Sequence, residues 1–127
     1  GSVTAWYRVC TTRPQRYWDG NCAKLAALLD SPNSINNPVM AGRLADTLGD
    51  RPAAMMKSHG AVTVGKTIVE AFVLANYMEE NAYRQYMAMQ LGTPYSFSDH
   101  EIQMCREKLW SDALFQRCWD HFKAKLN

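Results

Sequence analysis

The sequence predicts a mixed α/β domain in which a few short strands come first and a long helix and two shorter helices follow. Two apolar runs flank a His-Gly pair at residues 59–60, as expected for a buried hairpin. A helical pattern runs from residue 68 to residue 91, and two further helical patterns begin at serines. The 127 residues have the length of one domain, so we assign residues 1–127 to a single domain.

The N-terminal part predicts one strand, one loop and one short helix. Residues 3–10, "VTAWYRVC", are β-branched and aromatic and favour a strand. Residues 11–21 contain a proline and a glycine and indicate a loop. Residues 22–30, "CAKLAALLD", carry leucines on one side of a helical wheel and predict a short helix.

A second helix is predicted after a turn-rich segment. Residues 31–38, "SPNSINNP", are turn formers throughout. Asn37 suits the N-cap and Pro38 the first helical position, and Gly49 ends the helix "VMAGRLADTL".

The hairpin predicted next places a histidine at its turn. Residues 53–58, "AAMMKS", predict a buried strand, and residues 61–64, "AVTV", predict a second one that Gly65 closes. His59 and Gly60 lie between them, and Gly60 allows the backbone to turn sharply beside the imidazole.

The C-terminal half predicts three helices with capping residues. Thr67 and Glu70 form a T-x-x-E capping box before a helical pattern that spans about 36 Å at 1.5 Å per residue. Ser98 begins a second capping box before "DHEIQMCREKLW", and Ser111 caps a last helix rich in aromatic residues. The aromatic and methionine side chains of these helices are interpreted as core and oligomer contacts.

The composition indicates which kinds of partner the protein binds and in which cellular compartment it is found. The net charge is +2 without basic runs, which argues against a nucleic-acid surface. The most apolar stretch, around residues 68–75, is too short for a bilayer span, and the chain does not open with a signal-peptide pattern. Four cysteines without C-x-x-C spacing indicate free thiols in a reducing compartment, so we expect a cytoplasmic protein.

The motif H-G-x-x-x-x-G from His59 to Gly65, followed by a helix with E-A and later E-E-x-A, resembles the C-terminal part of the class II aldolase and adducin family. The tail "LWSDALFQRCWDHFKAKL" is similar to decarboxylase-type members that act on hydroxylated aromatic acids. The resemblance covers roughly residues 38–126, and the first 37 residues match less well.

This resemblance implies the C-terminal portion of an α/β/α sandwich around a largely antiparallel sheet, usually assembled as a tetramer. Family members hold a divalent metal with three histidines, and a nearby acidic residue carries a proton. Two of these histidines lie in an N-terminal H-x-H motif, and the third corresponds to His59. The sequence contains no H-x-H, since its other histidines are His100 and His121.

The resemblance therefore implies that His59 is one ligand of a divalent metal, zinc or else manganese or iron, whose other ligands come from outside this chain. From the residues alone, the alternative is a strand-end histidine bonded to a backbone carbonyl. Lys57 is interpreted either as a cation for a substrate carboxylate or as a strand-end cation facing water. Glu79 is a candidate catalytic residue. Glu79 and Glu80 are interpreted either as reaching a site or a neighbouring subunit, or as lying on a solvated or salt-bridged face of the helix.

Two functions remain open at this point. One is a metal-dependent carbon–carbon lyase of the class II aldolase type, with retro-aldol or decarboxylation chemistry on a small molecule, in which the ion polarises a carbonyl or phenolate oxygen. The other is a non-enzymatic, adducin-like interaction domain that has lost the metal site. In either case we expect a homo- or hetero-oligomer. One such oligomer would contain a partner chain that carries the N-terminal half of the family's fold.

Overall fold

The computed structural model describes residues 3–7, 26–93, 95 and 97–126, with the backbone alone for 3–7 and 26–27. The predicted loop at 11–21 and the assignment of 1–127 to one domain depend on residues outside this range and stay predictions. In chain order, the elements are β1 Val3–Tyr7, β2 Ala26–Leu29, α1 Pro38–Leu48, β3 Ala53–Met56, β4 Gly60–Gly65, α2 Ile68–Leu91, α3 Asp99–Leu109 and α4 Asp112–Ala124.

The four described strands form one sheet in the order β1-β4-β3-β2. Strand β4 is antiparallel to both β1 and β3, whereas β2 runs parallel to β3 with Leu29 opposite Met56. Parallel neighbours end at the same edge of a sheet. The residues that follow Leu29 and Met56 therefore emerge side by side.

The helix predicted over residues 22–30 is wrong where the structure describes it, because residues 26–29 form strand β2. A four-residue apolar run bounded by turn formers does not distinguish a helix from a buried strand by its pattern alone. Pairing with β3 decides the matter, since it satisfies the backbone hydrogen bonds of the run along one side.

Strand β3 is the centre of the core, and all four of its residues are buried. Ala54 and Met56 lie on one face of the sheet with Leu44 of α1. Ala53 and Met55 lie on the other face with Met78 of α2. A helix thus covers each face of the sheet, and the predicted α/β/α layering is confirmed.

The predicted N-caps are confirmed for the four described helices. The Asn37 side chain accepts from the amide of Met40 at 3.0 Å, and Pro38 occupies the first helical position. Thr67 accepts from the amide of Glu70 at 3.1 Å. The carboxylate of Glu70, however, accepts from the amide of residue 66 rather than from that of the cap, so only half of this predicted capping box forms.

The capping box at Ser98 is complete, and Ser111 caps α4 in the simpler way. Bonds from the Ser98 amide and hydroxyl, and then from the Tyr95 hydroxyl, lower the pKa of the Glu101 carboxyl. A carboxyl group whose pKa is lower in the folded chain than in the unfolded chain stabilises the fold at a pH above its unfolded-state pKa. This stabilisation is lost as the pH falls through the folded-state pKa. The start of α3 therefore weakens in acid.

Aromatic side chains attach α4 to the first half of α2. Phe72 contacts the edges of Trp119 and Phe122, with ring centroids 5.2 and 5.5 Å apart, and Tyr77 contacts the buried Phe115. These arrangements are the favoured edge-to-face geometry of aromatic pairs. The predicted packing of the tail aromatics is thereby confirmed for this cluster.

The second half of α2 extends beyond this packing and leaves large apolar side chains exposed: Tyr83, Tyr86, Met87, Met89 and Leu91. Buried residues of the helix end at Met78, so the predicted apolar face belongs to the core only over the first three turns. None of the described helices, α2 included, is long and apolar enough to cross a lipid bilayer.

The beginning of α2 lies unusually close to the end of β4. A Cβ at Gly65 would stand 2.8 Å from the backbone nitrogen of Ala71, which is closer than such atoms approach. The buried Thr63 hydroxyl also donates to the carbonyl of Ala71 at 2.9 Å. Strand and helix are thus joined by a close backbone approach and by one buried hydrogen bond.

Replacement of Gly65 by Ala is expected to lower the free energy of unfolding by about 1–3 kcal/mol, because the added methyl group meets backbone. Gly42→Ala is the matched control, since an added Cβ there meets nothing within 4 Å on the exposed side of α1. We expect the control to stabilise the fold by up to about 1 kcal/mol. Urea denaturation measures both, and equal effects would contradict the close approach.

Thr67→Ala is expected to cost about 1 kcal/mol because it removes the oxygen that accepts from Glu70. Thr67→Ser keeps that oxygen and is expected to remain close to the parent. Thermal unfolding of the two variants checks this, and an unchanged midpoint for Thr67→Ala would place the start of α2 elsewhere.

Candidate functional site at the carboxyl ends of β2 and β3

The turn between β3 and β4 positions the predicted histidine. The amide of His59 donates to the carbonyl of Met56 at 3.0 Å, and Met56 pairs with Gly60 across the hairpin. Ser58 has a φ of 62°, a left-handed conformation that is uncommon for residues with a side chain, and Gly60 has a φ of 127°. The prediction of a hairpin with His59 at its turn is confirmed, although Lys57 and Ser58 belong to the turn rather than to the strand.

The loop that follows β2 lies directly against this turn. The Lys57 amide donates to the carbonyl of Leu29 at 3.2 Å. The Lys57 ammonium forms an ion pair with the Asp30 carboxylate at 2.8 Å, and both side chains remain open to solvent. Of the two interpretations of Lys57, the strand-end cation is the closer one, but its charge faces a carboxylate as well as water.

The imidazole of His59 contacts the same loop. Its Nε2 lies 2.5 Å from the carbonyl oxygen of Pro32, and the residue as a whole is exposed. A strand-end histidine bonded to a backbone carbonyl was the alternative that the residues left open, and this contact is present. A functional histidine often donates one ring N–H to a carbonyl in this way, so the role of His59 as a metal ligand stays a prediction.

The two candidate glutamates of α2, Glu79 and Glu80, are exposed. Glu80 pairs with Arg84 one turn later, which is the salt-bridged face that the sequence allowed. Glu79 follows Met78, which packs near Met55 at the turn end of the hairpin. Glu79 thus lies towards the same end of the sheet as His59, and its catalytic role stays a prediction.

Asp30 and Pro32 belong to the candidate site, and the sequence pattern did not predict them. Each lies 27 residues before its partner in the turn. A strand at 26–29 would have been the signal, because a carboxylate placed directly after one parallel strand meets the residues just beyond the neighbouring strand.

The described residues do not form a metal centre by themselves. No group of three His, Cys, Asp or Glu side chains in the described part of the chain is placed to hold one ion. Zinc in a catalytic site takes three protein ligands, so His59 supplies at most one of the donors that such a site requires.

An open groove of about 960 Å³ lies at the opposite end of β3 and β4, against α3. Its charged lining residues are balanced in sign: Asp50, Glu70 and Glu107 against Arg51, Lys66 and Arg106. It includes neither His59 nor Lys57. We place the candidate site at the turn rather than in this groove, because the turn carries the predicted residues Lys57 and His59 and lies beyond the carboxyl ends of the parallel pair β2 and β3.

The site brings a cation, a carboxylate and an imidazole together at a solvent-open sheet edge. Lys57, Asp30 and His59 can bind an anionic group and exchange a proton, which suits a small polar molecule. The chain is therefore a layered α/β/α protein with a polar site at the strand ends.

The model of the class II aldolase and adducin N-terminal domain matches residues 6–86, which is more than half of the chain. The chain belongs to the class II aldolase and adducin family. The matched range begins within the first 37 residues, where the sequence motifs are weakest, and includes the β2 loop and the His59 turn.

Among solved structures, the chain is similar to L-fuculose 1-phosphate aldolase from Glaciozyma antarctica PI12, with a TM-score of 0.61 and 20% sequence identity. The likeness covers 82% of this chain and 42% of that one, so this chain spans less than half the length of that enzyme. At this identity the likeness establishes the fold. No curated protein matches the sequence.

Replacement of Ser58 by Gly is expected to stabilise the fold by about 0.5–1 kcal/mol, because glycine adopts a positive φ without steric cost. Ser58→Ala keeps the Cβ and removes only the hydroxyl, so it serves as the control and is expected to give no gain. Denaturant unfolding compares them. A gain in the alanine variant equal to that in the glycine variant would mean that the turn is not strained at this residue.

Proposed function

We propose that this chain forms part of a carbon–carbon lyase of the class II aldolase type, acting by retro-aldol cleavage or decarboxylation on a small anionic molecule. Membership of the family and the layered fold support the class. The observation that carries the proposal is the meeting of Lys57, Asp30 and His59 at the carboxyl ends of the two parallel strands.

Lys57 is the residue proposed to bind the anionic group of the substrate. Its ammonium already holds a carboxylate, that of Asp30, at 2.8 Å in a solvent-open position. Exposed ion pairs contribute little net free energy, so a substrate carboxylate can replace Asp30 at small cost. Asp30 then acts as the group that keeps the ammonium oriented towards the site when no substrate is bound.

The proposal includes a divalent metal, zinc or else manganese or iron, held by His59 together with ligands from outside the described residues. Those ligands come from a partner chain or from a further segment with an H-x-H motif, within a homo- or hetero-oligomer. Decarboxylation in particular is supported by the likeness of the tail sequence alone.

A non-enzymatic, adducin-like interaction domain is the second candidate. It is favoured by the engagement of the His59 Nε2 with the Pro32 carbonyl and by the lack of a three-ligand group within the described residues. The same fold supports unrelated functions, so the layered architecture is compatible with this candidate as well.

In the native assembly, His59→Ala is expected to abolish bound metal and turnover, while the free energy of unfolding falls by only about 0.5–1.5 kcal/mol from the lost hydrogen bond. Metal analysis, an activity assay and denaturant unfolding test the three parts. His121→Ala is the matched control, because His121 is exposed on α4. Full metal occupancy and unchanged turnover without His59 would make the non-enzymatic candidate the better one.

Lys57→Met is expected to raise KM about 10- to 100-fold, with a smaller change in kcat, because it removes a charged partner of the substrate and keeps the unbranched apolar part of the side chain. Lys66→Met is the control, since Lys66 is exposed at the opposite end of β4. Steady-state kinetics of the native assembly give both constants. An unchanged KM for Lys57→Met would remove Lys57 from substrate binding.

A further inference from the structure

One side of the projecting half of α2 carries a regular stripe of exposed side chains. Its members follow one another at spacings of four, three and four residues: Glu79, Tyr83, Tyr86 and Gln90. These are the spacings of the a and d positions of a heptad repeat, which form the contact seam between two helices. All four residues are exposed, and the two tyrosines are each 64% exposed. The stripe is therefore a helix-pairing seam that no described residue covers.

The seam is complementary to itself in one orientation. Its four positions are symmetric about the midpoint between residues 84 and 85, with a tyrosine on each side of the midpoint and a polar side chain at each end. A two-fold axis at the midpoint would place the Glu79 carboxylate of one copy beside the Gln90 amide of the other, at both ends of the contact. Among the described residues, that amide donates only to the sulfur of Met87 at 3.8 Å, which is a weak acceptor.

The symmetry favours a second copy of this chain over another occupant. A parallel pair would bring Glu79 against Glu79, and juxtaposed like charges are unfavourable. A partner of different sequence would not require positions that mirror each other about a midpoint. The ion pair between Glu80 and Arg84 lies beside the seam and can remain intact in the antiparallel pair.

The middle of the antiparallel contact is apolar. Tyr83 of one copy faces Tyr86 of the other, and the two-fold axis repeats this pair. Pairs of aromatic rings are favourable beyond the area that they bury. Met87, which is 45% exposed beside the tyrosines, adds a flexible thioether that packs well against aromatic rings.

We propose that the second half of α2 is a dimer interface in which this seam pairs antiparallel with the same seam of a second copy. The four tyrosines and two methionines bury on the order of 500–800 Å², below the roughly 1,200 Å² of a stable interface. We therefore expect weak association, with a Kd of about 1–100 µM. The pairing goes beyond the proposed function, because it involves neither His59 nor Lys57 and is measured without metal or substrate.

Sedimentation velocity of the whole chain, over concentrations that bracket this Kd, measures the association. Gln90→Glu places a carboxylate opposite Glu79 of the other copy at both ends of the contact and is expected to weaken the dimer about tenfold. Leu91→Glu is the matched control. It adds the same charge at a residue that is 93% exposed and lies about 100° around the helix from Gln90, off the seam. We expect the control to keep the Kd of the parent within about twofold.

A double substitution distinguishes antiparallel from parallel pairing. Glu79→Lys together with Gln90→Glu places an ammonium opposite a carboxylate in the antiparallel dimer, so the double variant is expected to recover at least the association of the parent. In a parallel dimer the same two changes would bring like charges together at both positions, and association would stay weak.

Three results would overturn the proposal. The first is a parent chain that stays monomeric over the whole range. The second is a dimer that Gln90→Glu weakens no more than Leu91→Glu does, which would place the contact on another surface. The third is a double variant that remains as weak as Gln90→Glu alone, which would reject the antiparallel arrangement.

Discussion

Strand β3 is buried on both faces and paired along both edges, so it determines where the neighbouring strands and helices lie. This four-residue strand has β4 along one edge, β2 along the other, α1 on one face and α2 on the opposite face. Each of its backbone groups can pair within the sheet, and each of its side chains is buried. Because the faces alternate along the strand, a shift by one residue would exchange the α1 core with the α2 core.

The position of the site follows from this strand. Its parallel partner β2 must end at the same edge, so the loop after Leu29 and the turn after Met56 meet there. The Asp30–Lys57 pair and the Pro32–His59 bond then connect the two segments. The polar groups are held by short stretches of loop on rigid strands, an arrangement that keeps them accessible and still fixes their spacing.

Local signals account for the features that could be predicted from the sequence. The caps at Asn37, Thr67, Ser98 and Ser111 satisfy amides within their own helices, so the helix starts could be predicted residue by residue. The hairpin was also predictable, since its two apolar runs and its turn are adjacent. His59 could be found because the family motif places it before Gly60.

The remaining features depend on partners far away in the sequence. Strand β2 is defined by pairing with β3, and its apolar run is too short to show a period of its own. The partners of Lys57 and His59 lie 27 residues earlier, so neither contact leaves a local pattern. The exposure of large side chains in the second half of α2 is likewise a tertiary effect, since the apolar residues continue to Leu91 while the buried residues end at Met78.

We propose that this chain presents one side of a metal site whose other ligands come from outside the described residues. Native mass spectrometry of the assembly purified from its source, combined with metal analysis, tests this most directly. We expect an assembly heavier than the 14.4 kDa of this chain that includes a chain or segment with an H-x-H motif and retains a divalent metal. A metal-free, monodisperse species of 14.4 kDa would contradict it.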